Sequence, residues 1–342
     1  MTVISSIVAE PNRYYPNEIK QAILNNPPLE DKLHVIIVIS NPCLYKRRYI
    51  LAKEFIRRFI MEEPDALLYI VEVAYQNQKF MVTQAKNPMH LQVRTNSAPI
   101  WIKENMINMG VQHLLPKDWK AFAWIDADVE FDSPTWALDT LRILNGDKDI
   151  IQLFGHAVDM DANENAMQIY PSFGFQYTKN RPFFVRSSPQ NYWHCGYAWA
   201  MTRHAYEKIG GIYDVNILGS GDYAMAMCLI GAGCDNYGSD HSQGFLNTIS
   251  KLQNNMAGLR LGYCPGVIRH YFHGSKKNRK YEERWKILTR HKFDPFTHVT
   301  KRPDGLLVPT MACPPNLLQD INQYFLDRNE DEWIECMPNC KL

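Results

Sequence analysis

The stretch AFAWIDADVE, residues 121–130, combines a short apolar run with two carboxylates, and we take it as the centre of the fold. An apolar run of this length is typical of a strand that is buried on both faces of a parallel sheet. Asp126 and Asp128 follow at the end of this strand, where open α/β sheets bind their ligands. Because neighbouring carboxylates repel each other, the pair favours a bound Mg²⁺ or Mn²⁺ ion. Taken alone, Asp-x-Asp is more often a polar turn, so the interpretation depends on the rest of the chain.

Composition and charge exclude several classes of function. The chain has 342 residues, of which 46% are hydrophobic, and its formal net charge is +1. A nearly neutral chain does not attract nucleic acid or acidic membranes as a whole, so we expect no nucleic-acid partner. The eight cysteines form no Cys-x-x-Cys pair, which is typical of a reducing compartment. The first residues lack a signal-peptide pattern, and no apolar run approaches the roughly 18 residues of a membrane helix. We therefore expect a soluble, cytoplasmic protein without a membrane span.

The first half of the chain alternates predicted strands with predicted helices. Strands are predicted at 34–40, 66–73, 90–94 and 119–128, and helices at 45–61 and 101–109. This order predicts an α/β fold with a parallel sheet and right-handed crossovers. A nucleotide-binding half is the natural interpretation, yet this half has no Gly-x-Gly-x-x-Gly and no Gly-Lys-Ser/Thr loop. A nucleotide would therefore have to be held by its phosphates through a metal, which the Asp126 and Asp128 pair would bind.

The second half contains a glycine-rich opening before a predicted helix. The opening is GSGD, residues 219–222, and the helix is predicted at 223–230. Its glycines would let the backbone approach a ligand closely, whereas Asp222 could simply cap the helix. Residues 155–192 are predicted to be loop-rich, and their aromatic side chains suit either a binding wall or ordinary packing. The other predicted elements are helices at 134–144, 203–209 and 281–289 and strands at 149–154 and 193–201.

The stretch VIRHYFHGSKKNR, residues 267–279, places potential metal ligands next to several cations. A single histidine is more often structural, and a basic run is usually a solvated surface. Together they suit a diphosphate bridged to a metal, because imidazole completes the coordination and cations bind phosphate oxygens. This stretch therefore complements the Asp-x-Asp pair.

Four blocks of the sequence together resemble the metal-dependent glycosyltransferases of the GT-A fold. The resemblance covers roughly residues 34–290 and is closest to family-2-like and galactosyltransferase-like members, including members encoded by large DNA viruses. It implies a GT-A fold with a mostly parallel central sheet flanked by helices and an acceptor-side half. The blocks are DAD at 126–128, WHCGYAWAMTRHAYEKIGGIYD at 193–214, GSGDY at 219–223 and HGS at 273–275.

The resemblance implies transfer of a sugar from a nucleotide-sugar donor, most often UDP-linked, with Mn²⁺ or Mg²⁺. The acceptor would be a hydroxyl group of a glycan or a protein. Asp128 would bind the metal directly, and Asp126 would contact the ribose and support the ion. His273 would be the third protein ligand, with His270 as the substitute for it. Asp222 would deprotonate the acceptor hydroxyl if the enzyme inverts at the anomeric carbon.

The resemblance also implies a set of residues that contact the donor. The turn after the first strand and the end of the second strand would contact the base and ribose. A basic loop would close over the diphosphate. These donor-binding residues are Ser40, Asn41, Pro42, Tyr45, Glu72, Arg94, Asn105, Lys276, Lys277 and Arg279. One departure from the family concerns Tyr223, because many members carry a second acid at that position. Inverting and retaining transfer therefore both stay open.

The predicted organisation is one catalytic domain with an arm before it and an extension after it. The arm comprises residues 1–32, the domain 33–295 and the extension 296–342. Within the domain, 33–132 form the nucleotide-binding half and 133–295 the acceptor and catalytic half. Two alternatives share the carboxylate and metal chemistry. They are a metal-dependent nucleotidyltransferase, for which Glu130 is the only candidate third acid, and a nucleotide-sugar-binding domain without turnover.

Overall fold

A seven-stranded sheet lies at the centre of the structure, a computed structural model that describes residues 17–179 and 193–332. The strands are β1 (Leu33–Ser40), β2 (Ala66–Tyr75), β3 (His90–Thr95), β4 (Ala121–Ile125), β5 (Val129–Phe131), β6 (Ile150–Gln152), β7 (His156–Met160), β8 (Ala166–Pro171), β9 (Ala198–Thr202), β10 (Leu261–Tyr263), β11 (Val267–His270), β12 (Val299–Lys301) and β13 (Leu307–Pro309). The helices are α1 (Glu18–Asn25), α2 (Lys46–Glu62), α3 (Lys103–His113), α4 (Trp136–Leu144), α5 (Phe173–Thr178), α6 (Arg203–Ile209), α7 (Gly221–Leu229), α8 (Gln243–Met256), α9 (Tyr281–Arg290), α10 (Pro295–His298) and α11 (Pro315–Asp327). Among the helices of these described ranges, none is both long and apolar enough to cross a bilayer.

The central sheet has the strand order β10-β6-β9-β4-β1-β2-β3. Within the described residues all seven strands are parallel except β9, which runs antiparallel to both β4 and β6. β1 is apolar over nearly its whole length because both of its faces are covered. Ile36 belongs to the core cluster that contains α3 residues, whereas Val35 and Ile37 belong to the cluster that contains α4 residues. The predicted α/β fold, a mostly parallel sheet flanked by helices, is confirmed.

A second, four-stranded sheet with the order β5-β11-β7-β8 brings distant segments of the chain together. β5 begins directly after Asp128 and pairs antiparallel with β11, so that Val129 lies opposite His270. β11 also pairs in parallel with β7, which places Asp159 beside the same histidine. Strand pairing therefore gathers residues from three parts of the sequence at one edge of the central sheet.

The segment predicted to be loop-rich contains regular structure in its described part. β7, β8 and α5 occupy most of residues 156–178, and residues 180–192 lie outside the described residues. The prediction was wrong here because β8 has no buried face to impose an alternating pattern. The short β7 buries Asp159 instead of an apolar side chain, so its periodicity is also hidden.

Residues at both ends of the described chain pack against the main body. In the predicted arm, α1 buries Ile19, and the Glu30 carboxylate accepts a hydrogen bond from the Ala121 backbone N–H at 2.9 Å. In the predicted extension, α11 packs against α9 and contributes Phe325 to the large core cluster. The Tyr45 hydroxyl donates to the Phe325 carbonyl at 2.8 Å. The extension is therefore joined to the turn that follows β1.

Candidate functional site

A cavity of about 1090 Å³ opens at the carboxyl edge of the central sheet. It extends from the turn after β1, past the end of β4, to the starts of α7 and α9. Eleven residues that the sequence singled out line it: Ser40, Asn41, Pro42, Tyr45, Asp126, Asp128, Asp222, His270, His273, Lys276 and Arg279. The structure thus gathers most of the predicted site residues around one space large enough for a nucleotide sugar.

Asp128, His270 and His273 form a cluster that could hold a metal ion, since one ligand atom from each lies within 4.8 Å of the others. The Asp128 Oδ2 atom is 3.1 Å from His273 Nε2 and 3.9 Å from His270 Nε2. The two Nε2 atoms are 3.2 Å apart. Two imidazoles and one carboxylate are a donor set that suits Mn²⁺ and other divalent transition metals.

Asp159 fixes the orientation of His270. This aspartate is 1% exposed, and its Oδ1 lies 2.9 Å from His270 Nδ1 and 2.8 Å from the Tyr197 hydroxyl. Lys276 forms an ion pair with its other oxygen. Burial opposes ionisation, but the His270 hydrogen bond and Lys276 hold the pKa of Asp159 below its usual range. An ionised Asp159 accepts the Nδ1 proton, which leaves Nε2 with a lone pair directed towards the cluster, as in carboxylate–histidine–metal arrangements.

His273 is electrically neutral in this environment. Burial and the nearby Arg279 guanidinium lower the pKa of His273 to about 4. Arg279 Nη2 donates to His273 Nε2 at 2.6 Å, so a cation already lies beside the cluster. Burial opposes the ionisation of Asp128, but His273, His270 and Arg279 together lower its pKa. Its Oδ1 is buried and accepts no hydrogen bond from the described residues. An unsatisfied carboxylate oxygen beside two imidazoles fits a site for a divalent cation.

Asp126 lies beside the cluster without belonging to it. Its carboxylate forms an ion pair with Lys103, the first residue of α3. Its backbone N–H donates to the Tyr197 carbonyl at 2.7 Å, which fixes the chain as it leaves β4. The sequence predicted Asp126 both as a metal ligand and as a ribose contact. In the structure only Asp128 of the two is within ligand distance of the histidines.

Asp222 and Glu104 are two neighbouring carboxyl groups that line the cavity. Asp222 is in the first turn of α7, where its Oδ1 accepts a hydrogen bond from the Tyr223 N–H at 2.8 Å. Glu104 is 6% exposed and accepts from Trp101 Nε1 at 3.1 Å. A Cβ atom on Gly221 would lie 2.8 Å from the Glu104 carboxyl carbon, so glycine is required for this close approach. Burial, only partly offset by Lys103, and the negative charge of Asp222 raise the pKa of Glu104 to about 7.

The C-terminal segment closes the cavity next to the metal cluster. Glu330 is fully buried and receives two hydrogen bonds from Arg48, at 2.9 and 2.6 Å, and one from Arg328 at 2.7 Å. Burial opposes ionisation, but these two arginines hold the pKa of Glu330 well below its usual range. Its Oε2 is 4.0 Å from His273 Nδ1. The segment after α11 therefore connects the turn after β1 to the candidate metal ligands.

Four predicted donor contacts lie away from the cavity. The Glu72 carboxylate accepts hydrogen bonds from the backbone N–H groups of residues 81–83 and from the Thr83 hydroxyl. Arg94 donates to the Gln78 carbonyl at 2.8 Å, and Asn105 is buried between Asp214 and the backbone of residues 305–307. Lys277 does not contribute to the lining. Glu72, Arg94 and Asn105 thus bond to loops in the structure, and we leave all four residues out of the proposed site.

The sequence interpretation missed several residues that shape the site. Lys103 and Glu104 begin a helix that is otherwise buried, and two charges beside the apolar Ile102 and Met106 were a signal of a special environment. Asp159 gave no such signal because its strand is short. Glu330 and Arg328 meet their partners only through long-range contacts, so the local sequence could not indicate their role.

Comparisons with known proteins give only distant similarity. No protein-family model matches the chain, and no curated protein matches it significantly. One similar solved structure is a candidate nucleotide-diphospho-sugar transferase from Desulfovibrio desulfuricans G20, with a TM-score of 0.33, 10% identity, and coverage of 87% of this chain and 99% of that one. Another is the mannosyltransferase PcManGT from Pyrobaculum calidifontis in complex with GDP-Man and Mn²⁺, with a TM-score of 0.39, 12% identity, and coverage of 95% and 83%. Since both TM-scores are low, the proposal below rests on the geometry of the site.

The raised pKa of Glu104 predicts a pH-dependent stability that Glu104→Gln should remove. The folded protein holds a proton on this carboxyl up to about pH 7, whereas the unfolded chain releases it near the ordinary glutamate pKa of 4.5. The free energy of unfolding of the wild type therefore falls as the pH rises between these values, by up to about 3 kcal/mol. Between pH 4.5 and 8 we expect the free energy of unfolding of Glu104→Gln to rise by that amount relative to the wild type. Chemical denaturation at a series of pH values measures the difference.

The matched control for this prediction is Glu283→Gln, on the exposed surface of α9. We expect its difference from the wild type to stay constant across the same pH range. If the difference in free energy of unfolding between Glu104→Gln and the wild type is also independent of pH, the assignment of a protonated Glu104 is wrong.

Proposed function

We propose that the protein is a metal-dependent glycosyltransferase that uses a nucleotide-sugar donor, UDP-linked, and a hydroxyl acceptor. The observation that carries this proposal is the cluster of Asp128, His270 and His273 at the edge of a large cavity. The cluster lies at the carboxyl edge of a mostly parallel sheet, where such sheets bind nucleotides. Because no glycine-rich phosphate loop follows β1, a metal is the natural means of holding the diphosphate.

Asp128, His270 and His273 are the proposed metal ligands. When bound, a divalent ion supplies positive charge to the diphosphate that leaves the sugar. Asp159 holds His270 in the tautomer that can coordinate, and burial keeps His273 neutral. Asp126, held by Lys103, is left to contact the ribose of the donor. The three ligands thus come from both sides of the β5–β11 pairing.

The turn after β1 would bind the nucleoside part of the donor. Asn41 Nδ2 donates to the Tyr45 carbonyl at 2.8 Å, and its Oδ1 accepts from the Tyr45 N–H at 3.0 Å. These bonds hold the turn open towards the cavity, with Ser40 and Pro42 in its lining. A turn that is fixed before binding reduces the entropy lost when the nucleotide is ordered.

Lys276 and Arg279 would bind the phosphate oxygens. Both line the cavity within the same short segment as His273. Arg279 already lies against His273, so its guanidinium is within reach of a phosphate held at the cluster. Arginine binds phosphate oxygens through two parallel hydrogen bonds, which gives orientation as well as charge. The leaving diphosphate would be stabilised by these residues in addition to the metal.

Asp222 is the proposed general base. Its Oδ1 is occupied by the Tyr223 N–H, whereas its Oδ2 lies 2.9 Å from the position of a Cβ atom on Gly196. Oδ2 therefore packs closely against Gly196, and the Asp222 side chain lines the cavity from which an acceptor hydroxyl could approach it. Deprotonation of this hydroxyl while it attacks the sugar typically accelerates transfer by 10² to 10⁴-fold.

We expect Asp128→Ala to abolish metal-dependent binding of UDP while the fold survives. The substitution removes the carboxylate that joins the two imidazoles, and it leaves their strand pairing in place. Isothermal titration calorimetry with UDP, with and without Mn²⁺, measures the effect. The matched control is Asp132→Ala, which removes a carboxylate of the same edge that pairs with Arg269 instead. Equal UDP affinity in Asp128→Ala and the control would refute the site.

We expect Asp222→Asn to keep UDP binding and to lower sugar transfer by at least about 10²-fold. The amide preserves the size of the side chain and its hydrogen bond to the Tyr223 N–H, but it cannot accept the acceptor proton. A screen of UDP-sugars by thermal shift identifies the donor first, because a ligand of the folded state raises its melting temperature. Transfer is then followed by released UDP, and full turnover in Asp222→Asn would exclude this role.

A further inference from the structure

The cavity is divided into two ends of different chemistry. The end near the metal cluster is lined by the cations Arg48, Lys276, Arg279 and Arg328. The end beyond Asp222 is lined by aromatic side chains, which we call the aromatic wall. The wall consists of Trp193, Tyr223, Tyr237 and Trp285. Arg284 and Lys286, on either side of Trp285 in the chain, also line the cavity. The cationic end suits a diphosphate, and the flat rings of the aromatic wall suit the apolar face of a second partner.

The aromatic wall is a preformed surface. The Trp193 and Tyr223 rings stack at 6.2 Å with an interplanar angle of 14°, and the Tyr237 and Trp285 rings are 5.5 Å apart. Trp193, Tyr223 and Trp285 are only partly buried, with one side packed against the large core cluster and another side lining the cavity. Rings that are held rigid from behind offer flat faces at a low entropic cost.

Polar groups lie at the edge of these flat faces. The Asp240 side chain is 65% exposed, and one of its oxygens is 3.0 Å from His241 Nδ1. Asn236 accepts a hydrogen bond from the Tyr223 hydroxyl at 2.7 Å. All three polar residues line the cavity. A few polar groups around an apolar surface fix the orientation of a small polar ligand.

We propose that the aromatic wall is the acceptor subsite and that it binds a neutral saccharide. This inference rests on the proposed function. A sugar ring has apolar C–H faces that pack on aromatic rings, and hydroxyl groups around its rim that donate to a carboxylate. Trp285 and Tyr223 would supply the flat faces, and Asp240 the hydroxyl acceptor.

The position of the wall fits this role. Tyr223 directly follows Asp222 in α7, so a sugar on its ring lies next to the proposed base. Trp193 shortly precedes Gly196, the residue against which the Asp222 Oδ2 packs, and both Trp193 and Asp222 line the cavity. An acceptor on the wall would therefore present a hydroxyl between the base and the donor sugar. The wall would set acceptor specificity without contributing to donor binding.

Saturation-transfer NMR on the full chain with Mg²⁺ and UDP tests this proposal. The probes are three neutral disaccharides: lactose, cellobiose and maltose. We expect saturation transfer to at least one of them in the wild type. Binding should be at least about tenfold weaker in Trp285→Ala and in Tyr223→Ala. Trp285→Phe, which keeps a flat ring, should still bind the disaccharide. The matched control is Phe296→Ala, which removes an aromatic side chain that is 72% exposed away from the cavity.

The wall assignment is overturned if the wild type binds none of the three disaccharides, or if both alanine variants bind them as the control does. Calorimetry with UDP and Mg²⁺ on the same samples separates the two proposals. UDP binding without disaccharide binding removes the acceptor subsite and leaves the proposed function intact. Disaccharide binding that depends on Trp285, but without UDP binding, keeps the saccharide subsite and refutes the proposed function.

Discussion

The antiparallel pairing of β5 with β11 is the constraint on which the site depends. β5 begins one residue after Asp128, and its partner strand ends with His270, so a three-residue ladder joins segments about 140 residues apart. The Tyr271 N–H extends the ladder by donating to the Asp128 carbonyl at 2.8 Å. The parallel pairing of β7 with β11 then adds Asp159. Backbone hydrogen bonds thereby fix both the candidate ligands and the group that orients one of them, which gives the rigidity that a metal site needs.

Charge around the cavity is arranged so that most buried ions have partners. Glu330 lies between Arg48 and Arg328, Asp159 contacts Lys276, and Asp126 contacts Lys103. A buried ion without a partner costs several kcal/mol, and such pairs avoid that penalty. Asp128 Oδ1 is buried and accepts no hydrogen bond from the described residues, whereas the other unbonded carboxylate oxygen of this network, Asp159 Oδ2, has the Lys276 ammonium beside it. Asp128 also lies within reach of the His270 and His273 imidazoles, and a cation would complete the arrangement.

Sequence reasoning reached the central sheet because its strands are long apolar runs with turn residues at their ends. Asp128, His270 and His273 could be proposed as ligands from the sequence for a related reason, since they lie next to recognisable strand ends. Asp159 and Glu330 could not be identified from the sequence, because their importance arises only from contacts across the fold. Glu72 and Asn105 illustrate the converse: each is a buried polar residue near the expected site, and in the structure each bonds to the backbone of a neighbouring loop. Polar residues in a core indicate a need for partners, and the sequence does not reveal whether a ligand or a loop supplies them.

The central claim is that two imidazoles and Asp128 coordinate one divalent ion. Pulsed electron paramagnetic resonance of the protein loaded with Mn²⁺ tests it most directly, because ¹⁴N nuclei of coordinated imidazoles couple to the electron spin. We expect two such couplings in the wild type and the loss of one of them in His270→Gln. A wild-type spectrum without nitrogen coupling, at Mn²⁺ concentrations that saturate binding, would contradict it.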